Sequence, residues 1–132
     1  IHFHEVGAVD AIVDITGACI LLEALGIEAV HCAPIPWTRG FVSCQHGIMP
    51  LPAPATVELL LGLPTYPVEV RGELVTPTGA AIVATLAGPE RMGPPPAMTP
   101  VAAGWGAGKK DFGAPFPNLL RVVVGETPAG AA

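Results

Sequence analysis

The stretch AVDAIVDITGACILLEAL, from Ala8 to Leu25, carries the strongest structural signal in the chain. Its apolar residues recur at spacings that build a broad apolar face, which predicts a helix. Gly26 follows directly and is typical of a helix end. Asp10, Asp14 and Glu23 interrupt the run. It therefore falls short of the roughly 20 apolar residues that cross a bilayer, and we expect no membrane segment.

Composition limits the class of protein. Hydrophobic residues make up 51% of the 132 residues and charged residues 13%, which indicates a folded domain rather than a disordered chain. A net charge of -5 with only six Lys and Arg argues against a nucleic-acid-binding surface. The three cysteines form no CxxC pair, which favours a reducing, cytoplasmic location over a disulfide framework.

The remaining pattern predicts a mixed α/β (α+β) fold, with about three helices packed on a small mixed sheet of about five short strands. Further helices are predicted from Pro54 to Leu61 and from Ala80 to Ala87, because proline suits a first helical turn. The strand candidates are Glu28–Ala33, Gly40–Cys44, Tyr66–Val70, Val101–Trp105 and Leu119–Val124.

Prolines and glycines set the predicted boundaries. Pro34 and Pro36 are expected to end the first strand, and a turn at Thr38–Gly40 would pair it with the second. We expect one domain over residues 1–126 and a frayed tail over 127–132. Since the sequence starts at Ile1 rather than at methionine, we also expect an internal piece of a longer protein.

Histidines and carboxylates are concentrated near the first helix. His2 and His4 are two apart, so an extended segment would place both imidazoles on one face. Asp10 and Asp14 are four apart and neighbours on one helical face, where two like charges call for a compensating cation. Together with Glu5 they form a ligand set suited to Ni, Zn, Fe or Mn. The alternative is a pair of strand histidines and two solvated or capping aspartates.

His46 is the second candidate for chemistry. It follows Cys44 at the end of a predicted strand and has the residue type of a metal ligand or of a general base working near neutral pH. A buried cysteine beside an exposed loop histidine is the other interpretation.

Two segments suggest anion binding. Thr76-Pro-Thr-Gly79 begins a predicted helix, where the hydroxyls of Thr76 and Thr78 and free backbone N–H groups could hold a phosphate. Ordinary capping by threonine is the alternative. The Gly-rich loop Gly104–Lys110, which contains Gly106, lacks the Walker A pattern. It suits either a close approach to a ligand or a flexible hairpin.

Several motifs in the same order resemble one family. They are HFHEVGAVDAIVD (2–14), HGIMPLPAPAT (46–56), ELVTPTGA (73–80), GWGAG (104–108) and NLLR (118–121). With them the chain resembles the nickel-insertion proteins of nickel-pincer cofactor biosynthesis, the LarC family, over about residues 1–126.

The resemblance implies a nickel chelatase (cyclometallase), a lyase acting on a pyridinium bisthiocarboxylate mononucleotide. Such proteins insert nickel with new carbon–metal and sulfur–metal bonds, consume CTP and need Mn²⁺ or Mg²⁺. The chain then corresponds to part of the N-terminal half. CTP would be bound by a C-terminal region absent from this sequence, so we expect the fragment alone to be inactive.

The chemistry that the resemblance implies also calls for residue roles, which are assigned from chemical type and spacing. His46 or Glu5 would accept the proton lost from the ring carbon, an assignment made from chemical type. The expected metal ligands are His2, His4, Glu5, Asp10 and Asp14. The expected nucleotide-binding residues are Thr76, Thr78, Gly79 and Gly106. The alternatives are a non-catalytic domain that binds a nucleotide phosphate, and a structural or dimerising domain in a homo-oligomer.

Overall fold

The order of elements is that of a mixed α+β fold, which confirms the predicted class. The computed structural model describes residues 8–44, 47–113 and 117–128. The helices in this part are α1 (Val9–Ala24), α2 (Pro54–Leu59) and α3 (Pro77–Leu86), with a 3₁₀ turn at Pro89–Arg91. The strands are β1 (Ile35–Arg39), β2 (Phe41–Cys44), β3 (Gly47–Pro50), β4 (Thr65–Arg71), β5 (Thr99–Ala107) and β6 (Leu119–Glu126). They pair as three two-stranded sheets.

Helix α1 occupies nearly the predicted span. Asp10 lies in its first turn, where a carboxylate interacts favourably with the helix dipole. Gly26 has φ of 65°, the left-handed conformation typical of the residue after a helix. Ala11 is the one buried residue of the helix, and Val9 is 76% exposed, so the described residues leave most of the predicted apolar face uncovered. None of the helices in the described ranges has the length and apolar character that crossing a bilayer requires.

The core lies where β1, α2 and α3 meet. Ile35, Leu60 and Ala80 are buried there against one another. A ring of half-buried residues packs around them: Cys32, Leu59, Leu63, Val75, Val83 and Met92. Helix α3 packs on both α2 and α1, and this contact ties the first helix to the rest.

The first strand begins later than predicted. Residues 28–33 form only an isolated bridge, from Cys32 to Met92, whereas β1 runs from Ile35 to Arg39 and includes Pro36. The prediction that Pro36 ends the strand is wrong: among the described residues β1 pairs only with β4, which leaves its other edge open. An edge strand tolerates proline, since its open side needs no N–H donor.

The second strand also has a different partner from the one predicted. Strand β1 pairs in parallel with β4, and β2 forms an antiparallel hairpin with β3, so the predicted β1–β2 pairing is not observed. The turn between them contains Gly40 at φ of 123°, a conformation that side chains disfavour. The chain therefore leaves the first sheet directly after Arg39.

The third sheet is the long β5–β6 hairpin. All nine residues of β5 are exposed, as are most of those in β6. Trp105 lies opposite Arg121 in the register, and the Arg121 guanidinium carbon is 5.8 Å from the indole centroid. Side-chain contacts of this kind and the backbone hydrogen bonds between β5 and β6 stabilise the hairpin.

Candidate functional site

The two aspartates of α1 are exposed and one turn apart, as the spacing predicts. Asp10 Oδ1 accepts a hydrogen bond of 2.8 Å from the Ala11 N–H. The other predicted ligands, His2, His4 and Glu5, lie outside the described residues. Within the described ranges no group of three or more His, Cys, Asp or Glu side chains is close enough to hold a metal ion. The complete site thus stays a prediction.

The predicted base His46 also lies outside the described residues. The hairpin on either side of it is described: Cys44 ends β2, Gly47 begins β3, and the Cys44 thiol donates to the Gly47 carbonyl oxygen at 3.3 Å. The sulfur is thus engaged in a local turn contact. That contact favours a structural role for Cys44 over nucleophilic chemistry.

At the start of α3 the structure shows ordinary capping by threonine, which is the alternative to phosphate binding. Thr76 is the N-cap, and its Oγ1 accepts a hydrogen bond of 3.2 Å from the Gly79 N–H. Thr78 lies half-buried in the first turn. Gly106 is opposite Leu120 in the β5–β6 ladder, whereas α3 packs on α1 and α2. Phosphate binding by these residues remains a prediction, and Thr76 already has a structural function.

Cys32 belongs to the margin of the core. Burial raises the pKa of its thiol above the ordinary value of 9.0, because a buried thiolate loses hydration. The side chain is therefore a neutral thiol near pH 7. The neutral thiol is a poor metal ligand in this state, because the thiolate is the form that binds metals.

A cleft that the sequence did not reveal lies at the carboxyl ends of β1 and β4. Its volume is about 360 Å³, and it is lined by Arg39, Gly40, Phe41 and Arg71. Arg39 and Arg71 are direct partners in the parallel register. The sequence feature that could have revealed this cleft is the dipeptide Arg-Gly. It occurs at 39–40 and again at 71–72, each time at the end of a predicted strand or turn.

Further charged and aromatic groups lie near the end of β4. Arg39 forms an exposed ion pair with Glu69, and Lys110 Nζ lies 3.8 Å from Glu73 Oε2. A Cβ added at Gly72 would come within 2.8 Å of Phe112 Cε1, so glycine allows the Phe112 ring to approach β4. The segment after the Gly-rich loop is thereby held beside the end of β4.

Comparison with known proteins gives a consistent result along the whole chain. The family described as nickel insertion protein matches residues 1–132. A relative named as a nickel insertion protein in Citrifermentans bemidjiense is 57% identical over 127 residues, covering 96% of this chain and 32% of the relative. One in Dictyoglomus thermophilum is 52% identical over 126 residues, with the same shares.

A third relative has a more specific name. The Desulfitobacterium hafniense protein called "Pyridinium-3,5-bisthiocarboxylic acid mononucleotide nickel insertion protein" is 56% identical over 126 residues, covering 96% of this chain and 30% of the relative. The chain thus spans about a third of the length of the curated relatives it matches. No solved structure matches it.

Proposed function

This chain belongs to the nickel insertion protein family, and from that premise we propose that it is part of a nickel-inserting enzyme acting on a pyridinium bisthiocarboxylate mononucleotide. The reaction class is that of a chelatase or cyclometallase, a lyase, with nickel as a substrate. Consumption of CTP and its binding outside this chain belong to the same proposal. So does a cytoplasmic location, which suits three cysteines that form no disulfide.

The chemistry assigns distinct tasks to protein groups. Cyclometallation breaks a C–H bond of the pyridinium ring, and that electron pair forms the carbon–nickel bond. The two thiocarboxylate sulfurs donate lone pairs to the same ion. Because carbon and both sulfurs supply the two electrons of their bonds, nickel stays in oxidation state +2. The ring proton must pass to a base, and we assign it to His46 or Glu5.

Metal delivery is assigned to the start of the chain. The imidazoles of His2 and His4 suit nickel, and the carboxylates of Glu5, Asp10 and Asp14 suit nickel, Mn²⁺ or Mg²⁺. Exposed oxygen donors one turn apart on α1 fit the ligand chemistry of Mn²⁺ and Mg²⁺. Such an ion would supply positive charge near a phosphate-bearing substrate.

The observation that carries the proposal is the match over residues 1–132, which includes the His-Phe-His-Glu segment and both aspartates. The aspartates have exposed side chains and no ion-pair partner among the described residues. Two uncompensated like charges at this spacing destabilise a helix by a few tenths of a kcal/mol (~0.2–0.5). A bound cation would remove that cost.

Metal analysis tests the proposal. The chain is loaded with nickel or manganese, exchanged into metal-free buffer and measured for bound metal, beside Asp10→Asn/Asp14→Asn and His2→Ala/His4→Ala. We expect metal on the parent and little on either double variant. Glu23→Gln is the matched control, since it removes an exposed carboxylate from the other end of α1. Equal metal content in all four proteins would contradict the proposal.

A second candidate function has one observation in its favour. The β5–β6 hairpin exposes apolar residues on both faces, with Leu120 66% and Trp105 64% exposed. Patches of this kind mark interaction surfaces. A structural domain within a larger protein or a homo-oligomer would use them. Such a domain would show no difference between the aspartate variants and the parent in the metal analysis.

A further inference from the structure

The fold brings two arginines together at one edge of a parallel sheet. Strands β1 and β4 both end in arginine, and Arg39 and Arg71 face each other in the register. Each is followed by glycine, with φ of 123° at Gly40 and 136° at Gly72. Both strands therefore end in a turn directly after the arginine. The two arginines thus lie at this edge beside the turn backbone, Phe41 and the Phe112 ring.

This placement concentrates positive charge in an acidic protein. The sequence has six Lys and Arg against eleven Asp and Glu, and two of the six are neighbours here. Like charges directly opposite each other in a sheet are destabilising. Arg39 is compensated by Glu69, whereas Arg71 has no ion-pair partner in the described ranges. An anion bound between the two guanidinium groups would offset the repulsion.

The cleft beside the arginines is an open depression at the end of the two strands, large enough to admit a phosphate group. Its volume of about 360 Å³ lies in the range of small-molecule pockets. In sheets with parallel strands, ligands bind outside the carboxyl ends of those strands. The planar guanidinium fork matches phosphate oxygens two at a time, which makes arginine the preferred residue for phosphate recognition.

The third side chain of the cleft is aromatic. Phe41 follows Gly40 directly, lines the same space and is 74% exposed. An exposed phenyl ring beside an arginine pair suits a ligand with a flat ring next to its phosphate. A positively charged ring would gain further from the cation–π interaction.

The geometry points to a nucleotide-phosphate subsite in which Arg39 and Arg71 bind the phosphate and Phe41 contacts the ring of the same ligand. Assigning the bound phosphate to the pyridinium mononucleotide rests on the proposed function. The subsite then locates one end of that substrate. A phosphate of CTP is the other source of the same chemistry. The site is distinct from the threonine cap of α3 and from the acidic pair of α1.

Calorimetric titration of the whole chain tests the subsite. The probes are nicotinic acid mononucleotide, CTP and inorganic phosphate, each added to the parent, Arg39→Gln and Arg71→Gln. Both variants should bind the recognised probe about tenfold more weakly or worse, as expected for a lost charge-assisted hydrogen bond. The matched control is Arg121→Gln, which removes an exposed arginine from β6 and should leave affinity unchanged.

A substitution that acts in the opposite direction separates binding from folding. Glu69→Gln releases Arg39 from its ion pair and removes a carboxylate that repels the ligand. Affinity should then rise severalfold, which a merely destabilised protein would not show. Weakening confined to the mononucleotide assigns the subsite to the substrate, and weakening confined to CTP assigns it to the nucleoside triphosphate.

Two outcomes overturn the inference. One is the absence of binding by the parent to all three probes, and the other is equal affinity in the parent and both arginine variants. Bound nickel is measured on the same samples. A parent that holds nickel but binds none of the three probes rejects only the arginine subsite, whereas a parent that binds a probe through both arginines but holds no nickel rejects only the metal assignment.

Discussion

The hydroxyl of Thr56 is the most unusual single group in the described part of the chain. Thr56 lies in α2 and is fully buried, and its Oγ1 has no hydrogen-bond partner among the described residues. Leaving a buried hydroxyl unpaired costs about 1–3 kcal/mol. The residue ends the segment 46–56 that helped to identify the family. We therefore expect substitutions of Thr56 to reveal how tightly this segment packs.

Replacing this hydroxyl by a methyl group should be tolerated. Thr56→Val keeps the β-branched shape and removes the unpaired oxygen, so the free energy of unfolding should stay equal or rise by about 1 kcal/mol. Urea unfolding at neutral pH measures the change. Thr56→Ser is the matched control. It keeps the hydroxyl, loses a buried methyl and should be less stable by about 1 kcal/mol. A clear loss of stability in Thr56→Val would mean that the oxygen has a partner.

At the residue scale, the sequence located the candidates for chemistry better than it located their neighbours. Asp10 and Asp14 could be placed on one face because helical spacing is local. Arg39 and Arg71 could not be paired, since their proximity depends on the parallel register of two strands far apart in the chain. The cleft could not be predicted for the same reason, because it forms only when the two strands pair.

Among the elements, helices were predicted more closely than strands. The span of α1 follows from periodicity and from Gly26, both of which act within one or two turns. The predicted first strand is misplaced, because proline does not end a strand whose other edge is open. The predicted turn at Thr38–Gly40 does not decide the partner of β2. That partner, β3, ends in Pro50 and is not among the predicted strands.

The N-cap of α3 gives a prediction at this scale. Thr76→Ala removes the side-chain acceptor for the Gly79 N–H and should lower the free energy of unfolding by about 1 kcal/mol. Denaturant unfolding provides the measurement. Thr85→Ala, at an exposed position near the end of the same helix, is the matched control and should change stability by less than about 0.5 kcal/mol. Equal effects of the two substitutions would argue against a capping role.

Across the whole molecule, burial is uneven. The core around Ile35, Leu60 and Ala80 joins β1 to α2 and α3. Most of α1 and nearly all of β5–β6 are exposed, although both are rich in apolar residues. An isolated two-stranded hairpin is marginally stable in water. The chain therefore combines one packed unit with elements whose apolar surfaces have little cover within the described residues.

This division predicts two levels of stability within one chain. Amide hydrogen exchange followed by mass spectrometry should show slow exchange in α2, α3 and β4 and faster exchange in β5 and β6, because the hairpin can open without exposing the core. Leu60→Ala, at a site only 4% exposed, should cost about 2–5 kcal/mol and speed exchange in the packed unit. Leu120→Ala, in the exposed hairpin, should leave that unit unchanged. If the hairpin were as protected as α3, or if Leu60→Ala affected both regions equally, the chain would unfold as one cooperative body. The exposed apolar strands would then need a stabilising partner already in solution.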